Sequence, residues 1–185
     1  MPVVCPPMPA TPTPEEPTVD APAPQVDIPS EMLTAFKQVT LPSSTIRVQP
    51  PGGKTLVNFD TIFSTKAERH QIDVHLDKVD IDVVLEVWPS SFAWHHGDGT
   101  SQTTTIPGRA WTEGDEVSPD NGFVVHRYTR LHKAAPVSVD TTWSAQFKVA
   151  GQPAWQPVDG TVTIAGQPIT LRVLEATPAL VAGQG

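Results

Sequence analysis

From Thr45 to Leu174 the chain runs in short stretches where apolar and polar residues alternate, each closed by Gly, Pro, Asn or Asp. A period of two sends successive side chains to opposite faces of a strand. Such a chain must therefore bury one face of many strands and turn often. Gln71–Asp77 is the cleanest case, with Ile72, Val74 and Leu76 facing inward and Asp73, His75 and Asp77 outward. Strands are predicted over 45–49, 55–63, 71–77, 81–88, 91–94, 122–128, 136–149, 154–156, 160–164 and 168–174. Thr100–Gly122 is polar and broken by Pro107, Gly108, Gly114 and Pro119, so it reads as a long loop. About eight to ten short strands with this punctuation predict an all-β, antiparallel sandwich.

One stretch keeps a helical period. Met32, Leu33, Phe36 and Val39 fall on one face, Ser30 stands at the N-cap, and Leu41-Pro42 ends the run. The predicted helix, residues 30–39, is too short to be stable alone and must dock on the strands. Ten of the chain's 21 prolines precede it, within residues 1–29, along with Glu15, Glu16, Asp20 and Asp27. Proline cannot sit inside a helix or a central strand, so residues 1–29 are expected to form a disordered or polyproline-II arm. The domain then spans 30–175, and 176–185 is a frayed tail.

Charge narrows the partners. Twelve Lys and Arg scattered among twenty carboxylates give −8, which is the wrong sign for a phosphate-binding face. No apolar run is long enough for a transmembrane helix. Cys5 is the only cysteine, so no internal disulfide can form. It lies just before the Pro-rich arm, a layout that would suit a lipidated, tethered protein if further residues preceded Met1. An inert arm thiol is the simpler expectation.

The densest local signal is Trp94-His-His-Gly-Asp-Gly99. Trp94 is an apolar plug of the size a sandwich interior needs. Gly97 and Gly99 allow positive φ, and Asp98 can hold a turn through backbone N–H groups. Tyr128 fits the logic of a tyrosine corner, its hydroxyl bonded to backbone. Phe92-Ala-Trp94-His-His-Gly97-Asp98-Gly99, Val125-His126-Arg-Tyr128 and Pro136-Val-Ser-Val139 together resemble the polycystic-kidney-disease (PKD) repeat. That family carries Tyr-x-Trp-Asp-Phe-Gly-Asp-Gly, a later His-x-Tyr, and then Gly-x-Tyr-x-Val. Trp94, Gly97, Asp98, Gly99, His126 and Tyr128 fall on the motif. His95-His96 replace its Asp-Phe pair, and Ala134-Ala135-Pro136 stand where it prefers Gly and an aromatic. The likeness covers about residues 80–150. It implies an Ig-like fold and an extracellular spacer, adhesion unit or enzyme accessory. Thr55–Phe63, Thr142–Phe147 and Trp155–Gly160 are also similar to secreted or membrane-tethered actinobacterial proteins.

Candidate chemistry is sparse. His95 or His96 with His126 and Asp98 could ligate Zn²⁺ and support a metal-assisted hydrolase. Adjacent strand residues point to opposite faces, however, so both His95 and His96 cannot serve. Ser90, Ser91 and Ser101 lack a nucleophile elbow. Asp73, Asp77, Asp80, Asp82 and Glu86 read as a solvated sheet face rather than a glycosidase pair or calcium site. Asp115, Glu116 and Asp120 lack calcium-loop spacing. Gly52-Gly53-Lys54 reads as a turn. Trp111, in the polar loop, and Trp155, beside a turn, are the candidate binding residues, because exposed tryptophans stack on sugars or anchor protein partners. The expectation is a non-enzymatic binding or spacer module at the cell surface, with a glycan or protein partner and neither metal nor cofactor. The alternatives are the hydrolase and an assembly subunit that packs its helix or a strand edge on a larger complex.

Overall fold

The computed structural model describes residues 27–176. Cys5, nearly all of the Pro-rich arm and the tail from residue 177 lie outside them. The Met32/Phe36 stripe forms helix α1 (Ile28–Gln38), which starts before the predicted Ser30 cap. Asp27 takes the extended N-cap conformation and Pro29 occupies the first turn, where a missing amide costs nothing. Ser30 Oγ donates to Asp27 Oδ2 at 2.6 Å. No helix of the described residues is long and apolar enough to cross a membrane.

The other regular elements are strands, apart from a 3₁₀ turn at Pro119–Asn121. They are β1 (Arg47–Gln49), β2 (Lys54–Leu56), β3 (Asp60–Ser64), β4 (His70–Leu76), β5 (Ile81–His95) and β6 (Ser101–Thr104). After the 3₁₀ turn come β7 (Val124–Arg127), β8 (His132–Val149), β9 (Gln156–Pro157), β10 (Val162–Ile164) and β11 (Ile169–Leu174). The chain is mostly β, as its alternation implies.

Four local readings need correction. The single strand predicted over 55–63 breaks at Asn58, whose φ of 60° sends β2 and β3 into different sheets. Asn tolerates the left-handed region better than most residues, which makes it the natural break. The strands predicted at 81–88 and 91–94 are one, β5. Its pairing with β8 shifts register between Pro89 and Ser91, an irregularity that accommodates a residue with no amide to donate. Within the predicted loop 100–122, Ser101–Thr104 forms β6 and pairs back on β5. Finally, β2 and β11 run parallel, so the architecture is not purely antiparallel.

Strands β5 and β8 are the spine. They pair antiparallel from Val83↔Val149 to His95↔Ser138. The far edge of β5 carries β4 along Ile81–Val87 and β6 along Phe92–His95. The far edge of β8 carries β11, β10 and β9 in turn, and β2 adds to β11. This large sheet curls into a half-barrel. A second sheet, ordered β1-β3-β7, is antiparallel throughout.

Each half of the spine has its own cover. Along β8 the odd positions from Ala135 to Phe147 are buried on one face. Trp143, Ala145 and Phe147 join Val83, Leu85 and Val87 of β5 against Met32 and Phe36 of α1. Val137 and Val139 join Trp94, Phe92, Leu171 and Val173 against Phe63 and Val124 of the small sheet. Fully burying a side chain such as Met32 or Phe36 stabilises by about 1.5–3 kcal/mol. Packing of this kind holds an eleven-residue helix that would fray alone.

Candidate functional site

The tight turn after β5 is built by its glycines. Gly97 has a φ of 74° and Gly99 of 92°. A Cβ on Gly97 would lie 2.7 Å from Pro136 N and O, so the turn presses on the β8 backbone. His96 N donates to Thr100 O at 3.2 Å. Asp98 Oδ1 accepts from Thr100 N at 2.9 Å and from its hydroxyl at 2.6 Å. The other carboxylate oxygen, Oδ2, accepts from His126 Nε2 at 2.8 Å. Tyr128 donates its hydroxyl to His96 O at 2.8 Å, tying the chain after β7 to this turn. Trp94 is fully buried beneath it, its indole N–H bonded to Thr104 Oγ1 at 2.9 Å.

The two histidines of the turn part company. His95 faces outward and contacts Asp140 Oδ2 of β8 at 3.0 Å, its side chain nearly half exposed. His96 is only 2% exposed and stacks on His126 with ring centroids 3.9 Å apart and planes 2° from parallel. The turn therefore brings His96, Asp98 and His126 together and leaves His95 out. His126 comes from β7 of the small sheet, so it meets His96 across the interior rather than along a paired strand. One ligand atom from each of the three lies within 4.8 Å of the others.

The titration behaviour follows from this burial. His96 is pushed down to about 4, first by desolvation and then by the neighbouring His126. For Asp98, burial alone would raise the carboxyl, but hydrogen bonds from Thr100 and His126 outweigh it and hold the group well below its usual range. The Tyr128 phenol is pushed up by burial and by the Asp98 charge.

A second place lies where β1, β3 and β7 meet the polar loop. Trp111 and Phe59, 40% and 49% exposed, line a cleft of about 520 Å³ together with Pro50, Pro51, Ile62 and Val117. Trp111 is fixed by hydrogen bonds at both ends. Its backbone N–H donates to Gln49 Oε1 at 2.7 Å, its carbonyl accepts from Gln49 Nε2 at 3.1 Å, and its indole N–H donates to Asp115 O at 3.0 Å. Asp60 and Arg127, paired in register across β3 and β7, form a bidentate ion pair on the wall. Hydrogen bonding by Arg127 holds the Asp60 carboxyl below its usual range, against a smaller opposing effect of burial.

Trp155 does not line this cleft. Its ring lies under the Lys148 ammonium, 4.7 Å from the centroid. Five of the acidic candidates have partners of their own. Asp82, Asp80 and Asp77 surround the exposed His75, while Glu86 bonds Arg69, Gln71 and Gln146. Asp115 accepts from Thr112 and Arg109 and organises its own loop. Ser90 Oγ donates to Thr142 O at 3.1 Å. Sequence reasoning missed Phe59, read as mid-strand. The signal that could have exposed it is Asn58, a residue suited to positive φ inside an otherwise β-like run.

Comparisons with protein-family models, with curated proteins and with solved structures find no match to this chain.

Proposed function

We propose that this chain is a non-enzymatic binding module. In this reading it is an Ig-like, PKD-type β-sandwich carried on a Pro-rich arm outside the cell, and it takes an envelope glycan or a protein partner. The PKD motif residues at the β5–β6 turn support the fold assignment, and the resemblance supports the location. The cleft between Trp111 and Phe59 carries the binding assignment. Trp111 is held open to solvent by hydrogen bonds to Gln49 and Asp115 rather than being folded away, and Phe59 beside it is half exposed. Its volume of about 520 Å³ fits a small-molecule or sugar-residue site. Exposed aromatics that need no reorganisation are the usual anchors of such interfaces.

Retention of the full chain on immobilised envelope polysaccharide and on total envelope protein tests this. Trp111→Ala is expected to weaken binding at least about tenfold, equivalent to about 1.4 kcal/mol, while Trp155→Ala leaves it unchanged. Retention indifferent to Trp111→Ala, or absent from both matrices, would overturn the assignment.

A further inference from the structure

The turn after β5 contains an unbalanced hydrogen-bond account. Thr100 has one hydroxyl hydrogen, and the 2.6 Å contact to the carboxylate oxygen of Asp98 uses it. The 3.0 Å contact between His96 Nδ1 and Thr100 Oγ1 therefore needs its proton on Nδ1. In a neutral imidazole that leaves Nε2 as a bare lone pair. This atom is buried and has no hydrogen-bond partner. An unpaired buried polar atom is costly and calls for an explanation.

Beside it, His126 Nε2 and Asp98 Oδ2 share a single proton across 2.8 Å. A divalent cation in place of that proton would gain an imidazole nitrogen and a carboxylate oxygen together. His96, stacked on His126, supplies a third donor, with the three ligand atoms already within 4.8 Å of one another. Zinc ligands sit about 2.0–2.2 Å from the ion and imidazole lone pairs lie in the ring plane, so the donors must draw in by roughly an ångström and the two rings must tilt out of their parallel stack. Two imidazoles and one carboxylate suit Zn²⁺ far better than Ca²⁺ or Mg²⁺, which prefer all-oxygen sets. The side chains of His126 and Asp98 are 16% and 11% exposed, so water can reach a fourth position.

We propose that His96, Asp98 and His126 form a Zn²⁺ site at the seam between the two sheets. His96 and Asp98 belong to the turn of the large sheet and His126 to β7 of the small one. The ion thus crosslinks the two layers through the turn that Tyr128 also holds. This site is separate from the Trp111 cleft and stands whether or not that cleft binds a ligand.

The test uses the full chain after chelator treatment, titrated calorimetrically with Zn²⁺, with Co²⁺ as a spectroscopic substitute. One equivalent is expected, with visible Co²⁺ bands typical of low coordination and a melting temperature that rises only with metal. His96→Phe keeps an aromatic ring on His126 and places there the residue the PKD motif carries. It is expected to stay folded and to lose at least about 100-fold in Zn²⁺ affinity. His75→Ala controls for adventitious binding at the exposed His75 cluster and should change nothing. A folded wild-type chain that takes up no Zn²⁺ overturns the proposal. So does uptake that survives His96→Phe, or uptake that disappears in His75→Ala.

Discussion

Gly97 and Gly99 flank Asp98 and differ in one physical respect, which makes them a matched pair for measuring what the β5–β6 turn costs to build. Both have positive φ, 74° and 92°. Alanine at either position therefore incurs left-handed strain of about 1–2 kcal/mol. Both replacements also remove similar unfolded-state freedom, about 0.4–1 kcal/mol in the opposite direction, which cancels in the comparison. At Gly99 the new methyl meets nothing within 4 Å. At Gly97 it would lie 2.7 Å from Pro136 N and O and 2.8 Å from Ala135 C, all backbone atoms of β8. Those atoms cannot rotate aside as a side chain would. Ala135 and Pro136 pair with Leu171 and Thr170, so any shift passes into β11. Forcing a methyl into such a contact costs a further ~1–3 kcal/mol. Gly97→Ala should thus be less stable than Gly99→Ala by about 1–3 kcal/mol, read from urea unfolding midpoints at constant m-value. At about 2–4 °C per kcal/mol for a domain of this size, melting curves should separate the two as well. Equal losses within about 0.5 kcal/mol would refute the claim that the turn is wedged against β8, since additivity errors are of that size.

Two further outcomes follow from the same contacts. Tyr128→Phe removes the donor to His96 O while leaving the ring packed, and is expected to cost about 1–2 kcal/mol by urea unfolding; a loss below about 0.3 kcal/mol would mean that the tie is not needed. Asp60 titrates below its ordinary value because Arg127 bonds its charged form, so its contribution is fully present above about pH 4 and fades as the pH falls further. Asp60→Asn should accordingly be less stable than wild type at pH 6, with a gap that narrows progressively as the pH falls below about 4, whereas a gap independent of pH would show that the pair contributes nothing through charge.

Period-two alternation was enough to reveal most strands, because it is written residue by residue. The helix was legible for the same reason, since Met32 and Phe36 lie one turn apart on a single stripe. Failures occurred where a backbone angle or a partner decided the outcome. Asn58 ends a strand that its neighbours' β propensity would have continued, and Pro89 sits inside one because the pairing slips beside it. The parallel pairing of β2 with β11 joins segments more than a hundred residues apart, and no local pattern encodes it.

The candidate sites show the same division more sharply. Strand β7 is four residues long, yet His126 faces His96 while its neighbour Arg127 lines the cleft with Asp60. Alternation predicts that the two side chains diverge, but not what each will meet. Register supplies that: Arg127 stands opposite Asp60, and His126 opposite the buried Thr61. The Asn58 turn separates β2 from β3, which starts at Asp60. Asn58 N also donates to Tyr128 O at 2.8 Å, so the turn that ends β2 ties the start of β3 to the end of β7, next to both the Asp60–Arg127 pair and the imidazole that stacks on His96.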